Sequence, residues 1–328
     1  MKRSTSERRR KFLALLSAFP ISLLSRRSSA QPKQLKLACY YLPETLQGRG
    51  AQLFADKIGQ KSAGAIQVSI ETSELLISLD LVVKESALAV FCAPCIAKSE
   101  PVLGLSVLPM IAATFEEAET LLRIARPHYS AALARHGQVL LATQPWLPGA
   151  LWSTIPIRSV ADLKGIAFAL APTPSIDAES GWRRPFVKLG ARSASYSDAE
   201  MVLSSEYTGN MKFTQEFAYF TELFYAAQLT FLTAKREIFD SLPETQRHVL
   251  VGEGHNTELA LWKLTRERLP HRRQQIAERG VRVSAQPPAD VVAALRKAAE
   301  PDIQSWVQSV GGDGAAILTE YRRAIGRD

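Results

Sequence analysis

The sequence predicts an α/β protein built from two domains. Three observations carry this. Helix-like and strand-like segments alternate along most of the chain. The run from Ile166 to Ala171 (I-A-F-A-L-A) is continuously apolar, as a strand buried on both faces of a parallel sheet must be. A chain of 328 residues, 46% of them hydrophobic, is also long enough for two well-buried cores.

Residues 1–30 stand apart from this pattern. They hold eight basic residues against one acid, Glu7, so nearly all of the net charge of +8 belongs to them. The remainder is close to neutral, which argues against a nucleic-acid-binding face. A basic stretch, an apolar run from Phe12 to Leu24 and Ser28-Ser29-Ala30 form the layout of a cleavable signal peptide. The run is too short to span a bilayer, so the mature chain is expected not to be membrane-embedded. Arg9-Arg10-Lys11-Phe12-Leu13 matches the twin-arginine pattern, with an arginine-rich Sec signal as the alternative. Lys36 interrupts the box that lipidation of Cys39 would require.

The elements then follow in order. Leu35–Cys39 reads as a strand leading to Tyr40 and Tyr41, and a helix with Leu53, Phe54 and Ile58 on one face follows. Residues 65–70 alternate as a second strand. The run from Ser86 to Cys95 (S-A-L-A-V-F-C-A-P-C) is a buried strand ending in a C-x-x-C. Thr114 caps a helix carrying Glu116 and Glu117 in its first turn. Gln138–Thr143 is a strand at the first crossing between domains. Pro156 sets an extended lead-in, Ser159 and Asp162 form an N-terminal cap, and Gly165 stops that helix after one turn. The buried strand that follows is closed by Pro172 and Pro174. Ligands sit beyond the carboxyl ends of strands in open α/β sheets, so a site is expected between Ala169 and Ser175. A second crossing falls near Tyr219 to Phe231. A long amphipathic helix starts at Pro243, a short strand covers 280–283, and two helices finish the chain.

Several of these stretches resemble one family. I-P-I-R-S-V-A-D-L-K-G (155–165) is similar to the K-P-I-x-S-x-x-D-L-K-G signature of TRAP-transporter solute-binding proteins. F-A-D-K-I-G-Q-K-S-A-G-A-I-Q-V (54–68), V-L-P-M-I-A-A-T-F-E-E-A (107–118) and the segment through D-S-L-P-E-T-Q (240–246), with Phe239 in a tryptophan position, resemble further blocks in the right order. The resemblance covers about residues 33–325. It implies a two-lobed periplasmic-binding-protein fold with a hinge and a central ligand cleft. Residues 31–150 with about 229–275 would form lobe I, and about 151–228 with 276–328 lobe II. It implies a periplasmic protein that captures a small organic solute and hands it to a membrane permease. An extracytoplasmic sensor subunit for a signalling receptor is the competing class, and a periplasmic dithiol module the third.

Two departures from the family matter. Its arginine, which clamps the ligand carboxylate, falls at Ala169 here. Plain mono- and dicarboxylates are therefore expected to bind weakly, because a carboxylate drawn into a dry cleft without a guanidinium partner loses its hydration uncompensated. Between 191 and 217 the chain reads M-V-L-S-S-E-Y-T-G-N-M-K-F where the family has a longer connection, so no ligand residue carries over from that block.

The candidate ligand contacts are aromatic and arginine residues near strand ends: Tyr40, Tyr41, Trp146, Trp152, Ala169, Pro172, Arg183 and Arg184. Arg183 and Arg184 are the first candidates to replace the missing clamp. Cys92 and Cys95 read as a structural pair at a strand end, free or joined in a disulfide as an oxidising compartment allows. With Cys39 they make three thiols, but no fourth ligand is at metal spacing. The five histidines form no H-x-x-x-H, and there is no G-x-S-x-G, phosphate loop or G-x-G-x-x-G. No enzyme activity, metal or cofactor is expected.

Overall fold

The computed structural model describes residues 31–73, 84, 86–171, 181–204 and 213–327; the expected signal segment and Pro172 lie outside them. Strand β1 (Lys33–Cys39) buries Leu35, Leu37, Ala38 and Cys39. Thr45 caps helix α1 (Leu46–Lys61): its hydroxyl accepts from the Gly48 N–H at 3.0 Å and donates to the Leu42 carbonyl at 2.6 Å. Ala51, Phe54 and Ile58 recur at helical spacing and are buried against the sheet, which stabilises by about 1.5–3 kcal/mol for each of the two larger side chains. Strand β2 (Ile66–Thr72) returns parallel to β1.

Strand β3 (Leu88–Cys92) is buried throughout. Helix α2 (Phe115–Arg135) starts where expected, with the Thr114 hydroxyl accepting from Glu117 N–H at 3.1 Å. Strand β4 (Gln138–Pro145) leads across to β5 (Ala150–Ser153). The signature stretch then forms one 3-10 turn, Val160–Leu163. The Asp162 carboxylate accepts from Arg158 N–H and Ser159 N–H, both at 2.8 Å, and these bonds hold its pKa below the usual carboxylate range. Gly165 adopts φ +76°, the left-handed conformation a side chain resists, and releases the chain into β6 (Ala167–Leu170).

Helix α3 (Arg183–Lys188), strands β7 (Arg192–Ser193) and β8 (Met201–Ser204), the single turn α4 (Phe213–Glu216) and β9 (Tyr219–Glu222) follow. The chain recrosses to β10 (Leu229–Lys235), continues through α5 (Arg236–Asp240) and the long α6 (Glu244–Ala277), and adds β11 (Arg282–Ser284), α7 (Ala289–Val310) and α8 (Gly312–Ala324).

These strands make two sheets. The first has the order β2-β1-β3-β10-β4, parallel except for β10, which runs antiparallel to both β3 and β4. The second has the order β11-β9-β5-β8-β6-β7 and mixes both senses. The chain passes between sheets at 146–149 and at 223–228. Helix α6 joins them again: Leu250 packs in a core of the first sheet, Leu269 and Ile276 in a core of the second. The C-terminal helices also serve both. Leu295 and Ala299 of α7 belong to the second sheet's core, while Ile303 and Trp306, with Tyr321 of α8, belong to the first.

Candidate functional site

The two crossings and α6 meet at one place. Trp146 follows β4 directly; its backbone N–H donates to Gln228 O at 3.1 Å, so the two crossing segments are bonded to each other. Its indole N–H donates to the Thr230 hydroxyl at 2.8 Å, and that hydroxyl in turn donates to the Tyr41 oxygen at 3.4 Å. Tyr41 and Trp146 meet edge-to-face at 5.9 Å, and Tyr40 stands edge-on to Tyr41 at 5.7 Å. Three of the expected contacts are thus brought together at the carboxyl end of β1 and the first crossing.

Beside Trp146 lies a cavity of about 30 Å³, lined by Thr45, Leu46 and Gln47 at the start of α1, Trp146 and Leu147 at the crossing, and Arg268 and Arg272 on α6, with the exposed Glu44 at its rim. That is room for a water molecule or one carboxylate-sized group. The start of α1 presents the positive end of the helix dipole. Arg268 makes no hydrogen bond or ion pair among the described residues. Burial, then the neighbouring guanidinium groups of Arg49 and Arg272, hold its pKa below the usual arginine value. Gln144, two residues before Trp146, is fully buried with both amide atoms unpartnered, against Gly50 of α1. A buried amide with unmet hydrogen bonds calls for an explanation, and a polar ligand is one.

The cysteines lie beneath Tyr41. Cys39 sits opposite Val90 and Cys92 opposite Thr230, at the ends of their strands. The Cys39 thiol donates to Tyr41 O at 3.6 Å. Burial, and after it the Cys92 thiol, push the Tyr41 phenol well above its ordinary value. Cys92 is buried at the end of β3, while Cys95 is half-buried in the 3-10 turn Ala93–Ile96, and the structure carries no disulfide between them. Among the described residues no group of three or more His, Cys, Asp or Glu side chains is placed to hold a metal ion.

Arg183 and Arg184 are engaged elsewhere. Arg183 donates to Phe168 O, the Ser193 hydroxyl and Ala194 O at 3.4, 3.1 and 3.2 Å, tying α3 to β6 and β7. Arg184 pairs with Asp302 of α7 at 2.6 Å. Ala169 and Trp152 lie together in the second sheet's apolar cluster, 0% and 1% exposed. Phe220 and Phe213 close on Trp152 at 4.8 and 5.5 Å between ring centres, leaving its indole N–H unpartnered.

No family model matches the chain, and no curated protein does. Solved structures do. The extracytoplasmic solute receptor DctP7 of Bordetella pertussis, which binds pyroglutamic acid, superposes with a TM-score of 0.73 at 20% identity, over 88% of this chain and 99% of its own. A TRAP periplasmic solute-binding protein from Ochrobactrum anthropi, its C-terminus bound in the ligand-binding pocket, reaches 0.77 at 18% identity, over 91% and 97%. Another from Ralstonia eutropha, with bound (S)-2-acetolactate, reaches 0.72 at 18% identity, over 90% and 99%. The fold is that of TRAP periplasmic solute-binding proteins.

On the TRAP fold, the resemblance places the clamping arginine at Ala169, where the sequence suggests an opening the size of the lost side chain. The structure instead closes Ala169 into the cluster with Trp152, Val202 and Phe220. Aromatic rings take up the volume because β5 and β9 supply them on the same sheet face. Arg268, Arg272 and Gln144 were missed by sequence reasoning. The signal for the arginines is present: R-E-R-L-P-H-R-R (266–273) is a basic run in an otherwise near-neutral chain, with Arg268 and Arg272 four residues apart on one helix face.

Proposed function

We propose that this chain is a TRAP-type solute-binding protein. It captures a small organic acid between its two sheets and delivers it to a membrane permease, acting as a binding protein rather than an enzyme. The observation that carries this reading is Arg268: a half-buried guanidinium without an anionic partner, crowded by two further arginines, in a cavity at the crossing. Like charges held together in a partly dry site are unfavourable until an anion joins them. The solutes bound by the Bordetella and Ralstonia proteins support the ligand class.

The mechanism follows from the parts. A solute carboxylate enters beside Trp146 and meets the paired N–H groups of Arg268, with Arg272 adding charge. The start of α1 stabilises the same charge through its dipole. Trp146 and Leu147 supply an apolar wall for the rest of the solute. Small rotations at 146–149 and 223–228 bring the sheets together over the ligand. The clamp thus passes from the strand position, Ala169, to the long helix.

Calorimetry tests this with pyroglutamate, (S)-2-acetolactate and related small acids. At least one should bind, and Arg268→Gln should weaken it by about tenfold to a hundredfold, the value of a charge-assisted hydrogen bond. Failure of every small carboxylate to bind overturns the reading. So does binding that survives glutamine at both Arg268 and Arg272.

A further inference from the structure

We propose a second ligand site, where the two cores join, for a small carboxylate carried on an apolar body. The cavity measures about 350 Å³, within the range of small-molecule sites. Its walls include Met110, Ile111, Ile303 and Ile325, with Arg296 and Lys297 on α7. None of these lines the cavity beside Trp146. Met110 and Ile111 are consecutive yet belong to different apolar clusters, Met110 to the second sheet's and Ile111 to the first. Met110 sits at φ +56°, a conformation that costs a non-glycine residue free energy, held by its N–H bond to Tyr225 O at 2.7 Å.

The charge in the cavity is incompletely matched. Arg322 is taken up by Glu300, with both carboxylate oxygens at 2.7 Å, and Arg327 donates to Glu117. Arg296 is matched only loosely, by a longer ion pair to a Glu117 that Arg327 already holds. Its Nε is buried without a hydrogen-bond partner, and its nearest acid, Glu117, lies 3.6 Å away while accepting from Ala113 N–H at 2.7 Å. Burial, and then Arg327, hold the Arg296 guanidinium below the usual arginine range. Lys297 is exposed and has no ion pair among the described residues. A carboxylate set against the Nε edge of Arg296 gives the stranded N–H an acceptor in the bidentate geometry guanidinium groups favour. The isoleucines and Met110 then take the hydrocarbon part.

The probe is 3-phenylpropionate, with 3-phenylpropanamide as its uncharged counterpart, titrated into the full chain. The acid should bind and raise the melting temperature by mass action, with the amide weaker by about tenfold or more. Arg296→Gln should weaken the acid by a similar factor. Ile325→Trp, which fills the cavity from the C-terminal end of α8, should abolish binding while leaving Arg296 in place. Three results overturn the inference: no binding up to on the order of 10 mM, equal binding of the amide, or full binding by both variants. Binding lost in Arg268→Gln but kept in Arg296→Gln would move the compound to the cavity beside Trp146, overturning this site and supporting that one.

Discussion

Ala169 shows how much one side chain's surroundings determine. A guanidinium at this position needs water, an acid or a ligand, and the cluster of Trp152, Val202, Phe213 and Phe220 provides none. Ala169→Arg is therefore expected not to restore a carboxylate clamp. It should lower stability by about 3–5 kcal/mol, as an uncompensated buried charge does, measured by chemical denaturation. A variant as stable as its parent would show that this face opens to solvent. Glu258 is the opposite case. It is 7% exposed yet its Oε2 accepts from Thr143 N–H at 2.5 Å, from the Thr143 hydroxyl at 2.7 Å and from Arg126, so the buried charge is compensated.

At the scale of elements, α6 organises the molecule. Its Gly254 lies against β4, where an added Cβ would stand 2.5 Å from the Leu141 carbonyl oxygen, while Gly252 has nothing within 4 Å. The two glycines should respond oppositely to alanine. Gly254→Ala should destabilise by about 1–3 kcal/mol through overlap with backbone that cannot retreat. Gly252→Ala should stabilise by about 0.5–1 kcal/mol, since alanine loses less entropy in a helix. Thermal melts of both variants decide this, and equal shifts would show that α6 and β4 are less closely packed. The cap of α2 and the Asp162 turn were legible in the sequence because donor and acceptor lie within four residues of each other. The basic run 266–273 was legible as composition but not as a site, because its target is α1, more than two hundred residues earlier.

At the scale of the whole molecule, the reading as a captured-solute carrier requires export. The mature chain recovered from the periplasm should begin at Gln31 by mass spectrometry, with residues 1–30 removed. Replacing Arg9 and Arg10 by lysine should leave the full-length precursor in the cytoplasm. Normal export of that double variant would assign the Sec route, and an uncleaved chain in the periplasm would refute the signal-peptide reading.

The α/β class, the first strands and the helices could be read from the residues alone, because periodicity, caps and apolar runs act over a turn or a strand and depend little on distant partners, whereas β5 and β7 to β10 were not read. The identity of the ligand-facing groups could not be read either. Arg183 and Arg184 look as available in sequence as Arg268 and Arg272, yet carbonyl oxygens and Asp302 occupy the first pair, while Arg268 makes no ion pair among the described residues. Which charge is satisfied depends on neighbours that folding brings from remote parts of the chain, and electrostatic free energy is set by those neighbours and by the water they exclude.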